Sequence, residues 1–115
     1  MICMRTRGAH TDFCRIRMRP ILLAEDSHDD AFVVRSTLKR AGVLNPVHVV
    51  TDGAKAVAYL QGEGIYADRD LFPLPDVLLL DLKMPKLSGF DVLEWWRSQP
   101  QLSNMLVVVL SGYSD

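Results

Sequence analysis

The chain has few cysteines and no long hydrophobic run, and both features limit the classes of protein to which it can belong. Its 115 residues include two cysteines, Cys3 and Cys14, so the sequence after residue 14 has no thiol for a disulfide or a cysteine-ligated zinc. A reducing cytoplasm is the simplest setting for this composition. No apolar run approaches the ~20 residues that span a bilayer, so no membrane partner is expected. The length suffices for one small domain with a single core.

The net charge of −1 conceals two segments of opposite charge. Residues 1–19 hold five arginines and one aspartate, a net charge of +4, whereas the rest holds eight basic and thirteen acidic side chains, a net charge of −5. An acidic body argues against a nucleic-acid partner. The basic head lacks the apolar core of a secretory signal, and three interpretations stay open: a targeting peptide, a nucleic-acid arm, or no function. We expect residues 1–18 to be a disordered extension.

Four short apolar segments alternate with segments of helical pattern. Continuous apolar runs are typical of strands that are covered on both faces, and strand–helix alternation predicts an α/β fold with a parallel sheet. The predicted strands are residues 20–25, 46–51, 76–81 and 105–110. The predicted helices begin after Ser27, Asp52 and Ser88 and end near Gly42, Gly62 and Arg97. Residues 62–75 are rich in turn formers and charge and are predicted to form a long loop.

The third predicted helix contains three aromatic residues. Ser88 followed by Asp91 is a capping-box pattern at its start. We predict that Phe90, Leu93 and one of the two tryptophans, Trp96 or Trp95, face the sheet, and that the other tryptophan is partly exposed. His28 and His48 have no partner at metal-ligand spacing, so we predict that both are surface or loop histidines.

Polar side chains follow three of the predicted strands, which is where chemistry lies in open α/β sheets. Glu25 ends the first strand and Asp26 follows it, Asp81 ends the third strand, and Ser111 follows the fourth. Three converging carboxylates would repel one another and raise at least one pKa unless a cation neutralises them. Mg²⁺ suits such a site because it is a hard ion that keeps coordination positions free for phosphate oxygens. An aspartate beside it could act as a nucleophile toward a phosphoryl group.

With these residues in place, residues 19–115 resemble a response-regulator receiver domain of two-component signalling. Glu25-Asp26 matches the family's acidic pair, and Asp81 in Leu-Asp-Leu-Lys-Met-Pro-Lys-Leu-Ser-Gly matches its phosphoacceptor loop. The resemblance implies a flavodoxin-like, doubly wound parallel sheet, with Mg²⁺ bound by Glu25, Asp26, Asp81 and the backbone carbonyl of Lys83. It also implies that Ser111 is the switch hydroxyl that binds a phosphoryl oxygen, and that a sensor histidine kinase is the partner.

Two further segments are similar to a narrower subgroup, the single-domain regulators that are paired with phytochrome-like sensor kinases. They are the run Asn-Pro-Val-His-Val-Val-Thr-Asp-Gly at residues 45–53 and the Tyr-Ala-Asp-Arg loop at residues 66–69. The family pattern continues with a fourth helix and a fifth strand that carries a lysine, and this sequence ends at Asp115 before them. We therefore expect an incomplete domain of about four strands and three helices.

Two functions follow from these residues. In the first, Asp81 accepts a phosphoryl group from a kinase, without enzymatic activity apart from slow self-catalysed phosphorylation and dephosphorylation. In the second, the chain is a phosphorylation-incompetent interaction fragment, for example a homodimer that pairs residues 105–110 at the sheet edge. A haloacid-dehalogenase-type phosphatase is rejected because Lys83 stands where that family has a second aspartate. A dinucleotide-binding fold is rejected because no Gly-x-Gly-x-x-Gly follows the first strand.

Overall fold

The computed structural model describes residues 18–110, which form one four-stranded sheet with helices on both faces. The strands are β1 (Ile21–Ala24), β2 (Val47–Val50), β3 (Val77–Asp81) and β4 (Leu106–Leu110). The connecting α-helices of this part of the chain are α1 (His28–Arg40), α2 (Gly53–Gln61) and α3 (Gly89–Arg97). All strands are parallel, in the order β2-β1-β3-β4, so the α/β prediction is confirmed with its four strands and three helices.

The strand register brings the acidic residues to one edge of the sheet. β1 pairs with both β2 and β3, and Ala24 at its end lies opposite Val50 and Leu80. Asp81 follows Leu80, and Glu25 follows Ala24, so both carboxylates leave neighbouring strands at the same level. Asp81 in turn lies opposite Leu110, the last described residue.

Alternate residues of the central strands enter two separate cores. Leu22, Leu78 and Leu80 are fully buried beneath α2 and α3, where they join Tyr59 and Val92. The opposite face is covered by α1, and it buries Ile21, Leu23, Ala31 and Leu79. Burial of each leucine or isoleucine side chain contributes roughly 1.5–3 kcal/mol, which explains why β1 is apolar at every position.

Side-chain caps fix where the three helices begin. Ser27 accepts a hydrogen bond from the Asp30 N–H at 3.2 Å, and Asp52 accepts one from the Lys55 N–H at 2.8 Å. The capping box predicted for α3 is present, because Ser88 and Asp91 each accept a hydrogen bond from the other's backbone N–H. These caps satisfy N–H groups that would otherwise lack partners in the first helical turn.

The prediction that Phe90 faces the sheet is wrong. Gly89 and Val92 are the buried residues of α3, and Phe90 lies on the opposite side of the helix with 63% of its surface exposed. Leu93 packs against the core as predicted. Trp95 and Trp96 are both half-buried and both contact the core, so the division into one core and one exposed ring is also wrong. The face of α3 that packs on the core thus contains Val92, Leu93 and both tryptophans but not Phe90.

Residues 62–75 are more ordered than the predicted long loop. They contain a 3-10 helix, Gly64–Ala67, and the side chain of Arg69 holds the segment to the end of α2. His48 is also not a surface or loop histidine. It lies half-buried on β2, and its ring packs near Tyr59 and Phe72.

Two further predictions concern residues at the ends of the chain. The predicted extension, residues 1–18, lies outside the described residues except for Met18, and Ser111 lies outside them too.

Within residues 18–110, every helix is too short or too polar to traverse a lipid bilayer.

Candidate functional site

Three carboxylates meet at the carboxyl edge of the sheet. Glu25, Asp26 and Asp81 each contribute one oxygen to a group in which all the oxygens lie within 4.8 Å of one another. Glu25 is buried, Asp81 is half-buried and Asp26 is exposed, so the cluster is open to solvent on one side. The spacing of these oxygens is short enough for one small cation to contact all three.

The backbone around Glu25 fixes its carboxylate in the cluster. Its N–H donates to the Val50 carbonyl oxygen at 3.0 Å, which continues the β1–β2 pairing by one residue. Its carboxylate oxygen Oε2 accepts a hydrogen bond from the Ser27 N–H at 3.2 Å. Only 6% of the surface of Glu25 is exposed, so the side chain lies against the protein.

The electrostatics of the cluster disfavour a charged Glu25. Burial, the negative charge of Asp81 and a hydrogen bond between the two side chains together raise the pKa of Glu25 from 4.5 to about 7. The Ser27 N–H acts in the opposite direction because it stabilises the carboxylate. The hydrogen bond from Ser27 therefore balances only part of the negative charge of the cluster.

A divalent cation fits this donor set. The three side chains offer only carboxylate oxygens, which are the ligands preferred by hard ions such as Mg²⁺. Burial and the neighbouring Asp81 carboxylate raise the pKa of Glu25, and a cation in the cluster would favour the charged form of Glu25. The partial exposure of the cluster leaves room for water or phosphate oxygens to complete the coordination.

The loop after Asp81 turns sharply over the end of β3. The Lys83 N–H donates to the Asp81 carboxylate oxygen Oδ1 at 3.3 Å, and the Gly89 N–H donates to the Leu82 carbonyl oxygen at 3.1 Å. A Cβ atom on Gly89 would collide with the Asp81 carbonyl oxygen. Glycine is required here because α3 begins directly against the backbone that carries Asp81.

The structure brings together Glu25, Asp26 and Asp81 among the predicted site residues. Lys83 lies two residues beyond Asp81 with its N–H turned toward that side chain, and Ser111 is outside the described part of the chain. Asp52 and Lys86 were not among the predicted site residues, yet they form an ion pair that joins this loop to α2. The sequence indicated Asp52 only as the residue before the second predicted helix.

Comparison with known proteins identifies the family. Residues 21–115 match the family model of the response regulator receiver domain. The chain is 38% identical over 91 residues to the response regulator Rcp1 of Synechocystis sp., an alignment that covers 79% of this chain and 60% of that protein. The chain thus spans less than two thirds of this curated relative.

Two solved structures with the same fold are those of a phosphorylated protein and of a metal-bound protein. The phosphorylated cyanobacterial phytochrome response regulator RcpA has 39% identity and a TM-score of 0.75, with 85% of this chain and 68% of that chain covered. The Mn²⁺-bound form of response regulator Rcp1 has 36% identity and a TM-score of 0.74, with 84% and 68% covered. The three carboxylates thus lie at the carboxyl edge of a receiver-type sheet, and the chain belongs to the response regulator receiver domain family of two-component signalling.

Proposed function

We propose that this receiver domain accepts a phosphoryl group on Asp81 from a phosphohistidine of a sensor histidine kinase. The observation that carries the proposal is the convergence of Glu25 and Asp26 on Asp81. The likeness to phytochrome response regulators, one of them phosphorylated, supports a phytochrome-like sensor as the kinase. Receiver domains are signalling domains rather than classical enzymes, so we expect the chain itself to catalyse only slow phosphorylation and dephosphorylation of Asp81.

The transfer requires Asp81 to be an unprotonated nucleophile. One Asp81 carboxylate oxygen attacks phosphorus and forms the acyl phosphate, while the phosphorus–nitrogen bond to the donor imidazole breaks. The electron pair of that bond stays on the imidazole nitrogen, which then takes a proton. The Lys83 N–H, 3.3 Å from Asp81 Oδ1, orients the carboxylate for this attack.

The metal proposed for this site is Mg²⁺, with Glu25, Asp26, Asp81 and the Lys83 backbone carbonyl as its ligands. When bound, it would neutralise the charge of the carboxylates and of the phosphoryl oxygens. Family resemblance further assigns to Ser111 a hydrogen bond from its hydroxyl to a phosphoryl oxygen. We propose a cytoplasmic setting, with neither nucleic acid nor a membrane as partner.

Beryllofluoride binding tests the proposal, because this acyl-phosphate analogue requires both the metal and the aspartate. We expect saturable binding by calorimetry that depends on Mg²⁺ and is abolished by Asp81→Asn. Asp76→Asn is the matched control, since Asp76 is an exposed carboxylate just before the opposite end of β3, where it pairs with Arg19. An absence of binding by a folded wild-type protein would refute the proposal.

A second candidate function, an assembly surface, is favoured by the side chains of β4. This strand lies at one edge of the described sheet, and Leu106 exposes 59% of its surface, with Val108 and Val109 also exposed. In this alternative, β4 pairs with β4 of a second copy and Asp81 has no phosphoacceptor role. Light scattering on the wild type and on Val108→Lys tests it, and a monomeric wild type would exclude it.

A further inference from the structure

The loop that follows Asp81 packs directly on the start of α2. We name residues 82–88 the phosphoacceptor loop. Gly53, the first residue of α2, is buried, and a Cβ atom there would collide with the Leu87 carbonyl oxygen and carbonyl carbon. Backbone thus contacts backbone, a fit that any side chain at residue 53 would disturb. The neighbouring Leu87 side chain packs against the core beneath α2 and α3.

A buried carboxylate next to Gly53 contacts the same loop. The side chain of Asp52 is 7% exposed; its Oδ1 accepts the Lys55 N–H at 2.8 Å, and its Oδ2 lies 3.8 Å from the Lys86 ammonium nitrogen. Lys86 adopts a left-handed backbone conformation with φ of 66°, which is unfavourable for a residue with a Cβ atom. The ion pair of Lys86 with Asp52 and the contact of the next residue, Leu87, with Gly53 hold this strained residue in place.

Aromatic rings join α2 to the segment that follows it. Burial raises the pKa of Tyr66, and the negative charge of Asp52 raises it further. The Tyr66 ring lies 5.0 Å from the ring of Tyr59, which is fully buried. The helix that Asp52 caps is thus packed, through Tyr59, against the segment that follows it.

We infer that Asp52 and Gly53 are positioning residues, which hold the phosphoacceptor loop in register with Asp81 through Lys86 and Leu87. Neither belongs to the acidic cluster, and neither is a catalytic residue. Because the Lys83 backbone lies in this loop, a displaced loop would misplace both the N–H that orients Asp81 and the carbonyl proposed as a metal ligand. A misplacement of about 1 Å is enough to slow a reaction by as much as ~100-fold.

The inference rests on the proposed function, and the first test varies Gly53. We expect Gly53→Ala to weaken Mg²⁺-dependent beryllofluoride binding about tenfold, and to slow phosphorylation by saturating acetyl phosphate about tenfold. Gly64→Ala is the matched control. Gly64 is also the first residue of a helix, has φ of 60° and has open space where a Cβ atom would lie, so alanine there strains the backbone without reaching the loop. The control should keep beryllofluoride affinity within about twofold of the wild type.

A second test keeps the cap of α2 while removing the ion pair. Asp52→Asn can still accept the Lys55 N–H, and Lys86→Met removes the ammonium group. Because Lys86 is 69% exposed, we expect each change to slow saturating phosphorylation only about threefold. The double variant should be no slower than either single variant, since both remove one interaction. Lys86→Arg should restore the wild-type rate.

The outcomes separate the inference from the function on which it rests. A wild-type protein that binds no beryllofluoride contradicts the proposed function. A binding wild type combined with a folded Gly53→Ala variant of equal affinity contradicts the inference. If Gly53→Ala does not fold, the ion-pair variants decide: independent, additive effects of Asp52→Asn and Lys86→Met, or none, overturn it.

Discussion

The Nδ1 atom of His48 lies 2.8 Å from the hydroxyl of Tyr59, and that hydroxyl donates to the Pro73 carbonyl oxygen at 2.9 Å. Since the one hydroxyl proton is directed to Pro73, the imidazole is the donor in the other bond, and neutral His48 carries its proton on Nδ1. This pair of bonds joins β2, α2 and the segment before β3 at a single hydroxyl. Its removal should therefore loosen three parts of the fold together.

Tyr59→Phe removes that hydroxyl while keeping the ring. We expect the free energy of unfolding to fall by about 1–3 kcal/mol, because a partly buried carbonyl and an imidazole N–H lose their partner. Urea denaturation measures the change. Tyr66→Phe is the control, since its ring packs in the same cluster but its hydroxyl makes no hydrogen bond to the described residues. Equal losses in the two variants would contradict the role of the Tyr59 hydroxyl.

The burial of His48 should appear as a pH dependence of stability. Burial lowers the pKa of His48 below 6.5, so the unfolded chain takes up a proton at a pH where the folded chain does not. The free energy of unfolding therefore falls as pH drops through 6.5. His48→Asn retains a donor near the Nδ1 position but does not titrate, so it should lack this loss.

The measurement is the difference in unfolding free energy between the wild type and His48→Asn, without metal, at about pH 8 and about pH 5.5. The other titrating groups, Glu25 included, are shared by the two proteins and cancel in this difference. The wild type should lose stability relative to the variant at the lower pH. An unchanged difference would mean that His48 titrates alike in the folded and unfolded chains.

Arg69 provides the main link between α2 and the segment that follows it. Its guanidinium donates to the carbonyl oxygens of Tyr59, Leu60 and Phe72 at 2.8, 3.0 and 3.0 Å. Arg69→Met should lower the free energy of unfolding by about 2–3 kcal/mol in urea titrations, because hydrogen bonds to a charged donor are lost. Arg69→Lys should recover little, since one ammonium group cannot reach three carbonyls in this fork. Full recovery by lysine would show that charge alone matters.

Glu25 should destabilise the metal-free fold at high pH. Its pKa is raised from 4.5 to about 7, so its contribution to stability is complete below pH 4.5 and is lost as pH rises toward 7. At about pH 8, metal-free Glu25→Gln should therefore melt at a higher temperature than the wild type. Saturating Mg²⁺ should raise the melting temperature of the wild type more than that of the variant. A variant less stable than the wild type without metal would contradict this account of the cluster.

The sequence was sufficient for the arrangement of strands and for the convergence of the three carboxylates. Continuous apolar runs bounded by caps define β1 and β3, and parallel pairing then fixes which ends meet. Phe90 was mispredicted because spacing alone does not say which side of a nine-residue helix faces the sheet. Gly89, whose close contact with Asp81 orients the start of α3, decides that.

Other features depend on contacts between distant segments. His48 was mispredicted because the sequence does not show that β2 lies beside Tyr59, eleven residues later. The contact of Gly53 with Leu87 joins the start of α2 to a loop more than thirty residues later, and the local pattern at Asp52 shows only the start of a helix. Ser111 and the extension at residues 1–18 stay predictions.

The most direct test of the central claim is the site of phosphorylation itself. The protein would be incubated with acetyl phosphate and Mg²⁺, and its intact mass and the mass of its proteolytic fragments would be measured. The account predicts the addition of one acid-stable, base-labile phosphoryl group on the fragment that contains Asp81, absent without Mg²⁺ and absent in Asp81→Asn. A folded wild-type protein that gains no phosphoryl group, or gains it at another residue, would contradict it.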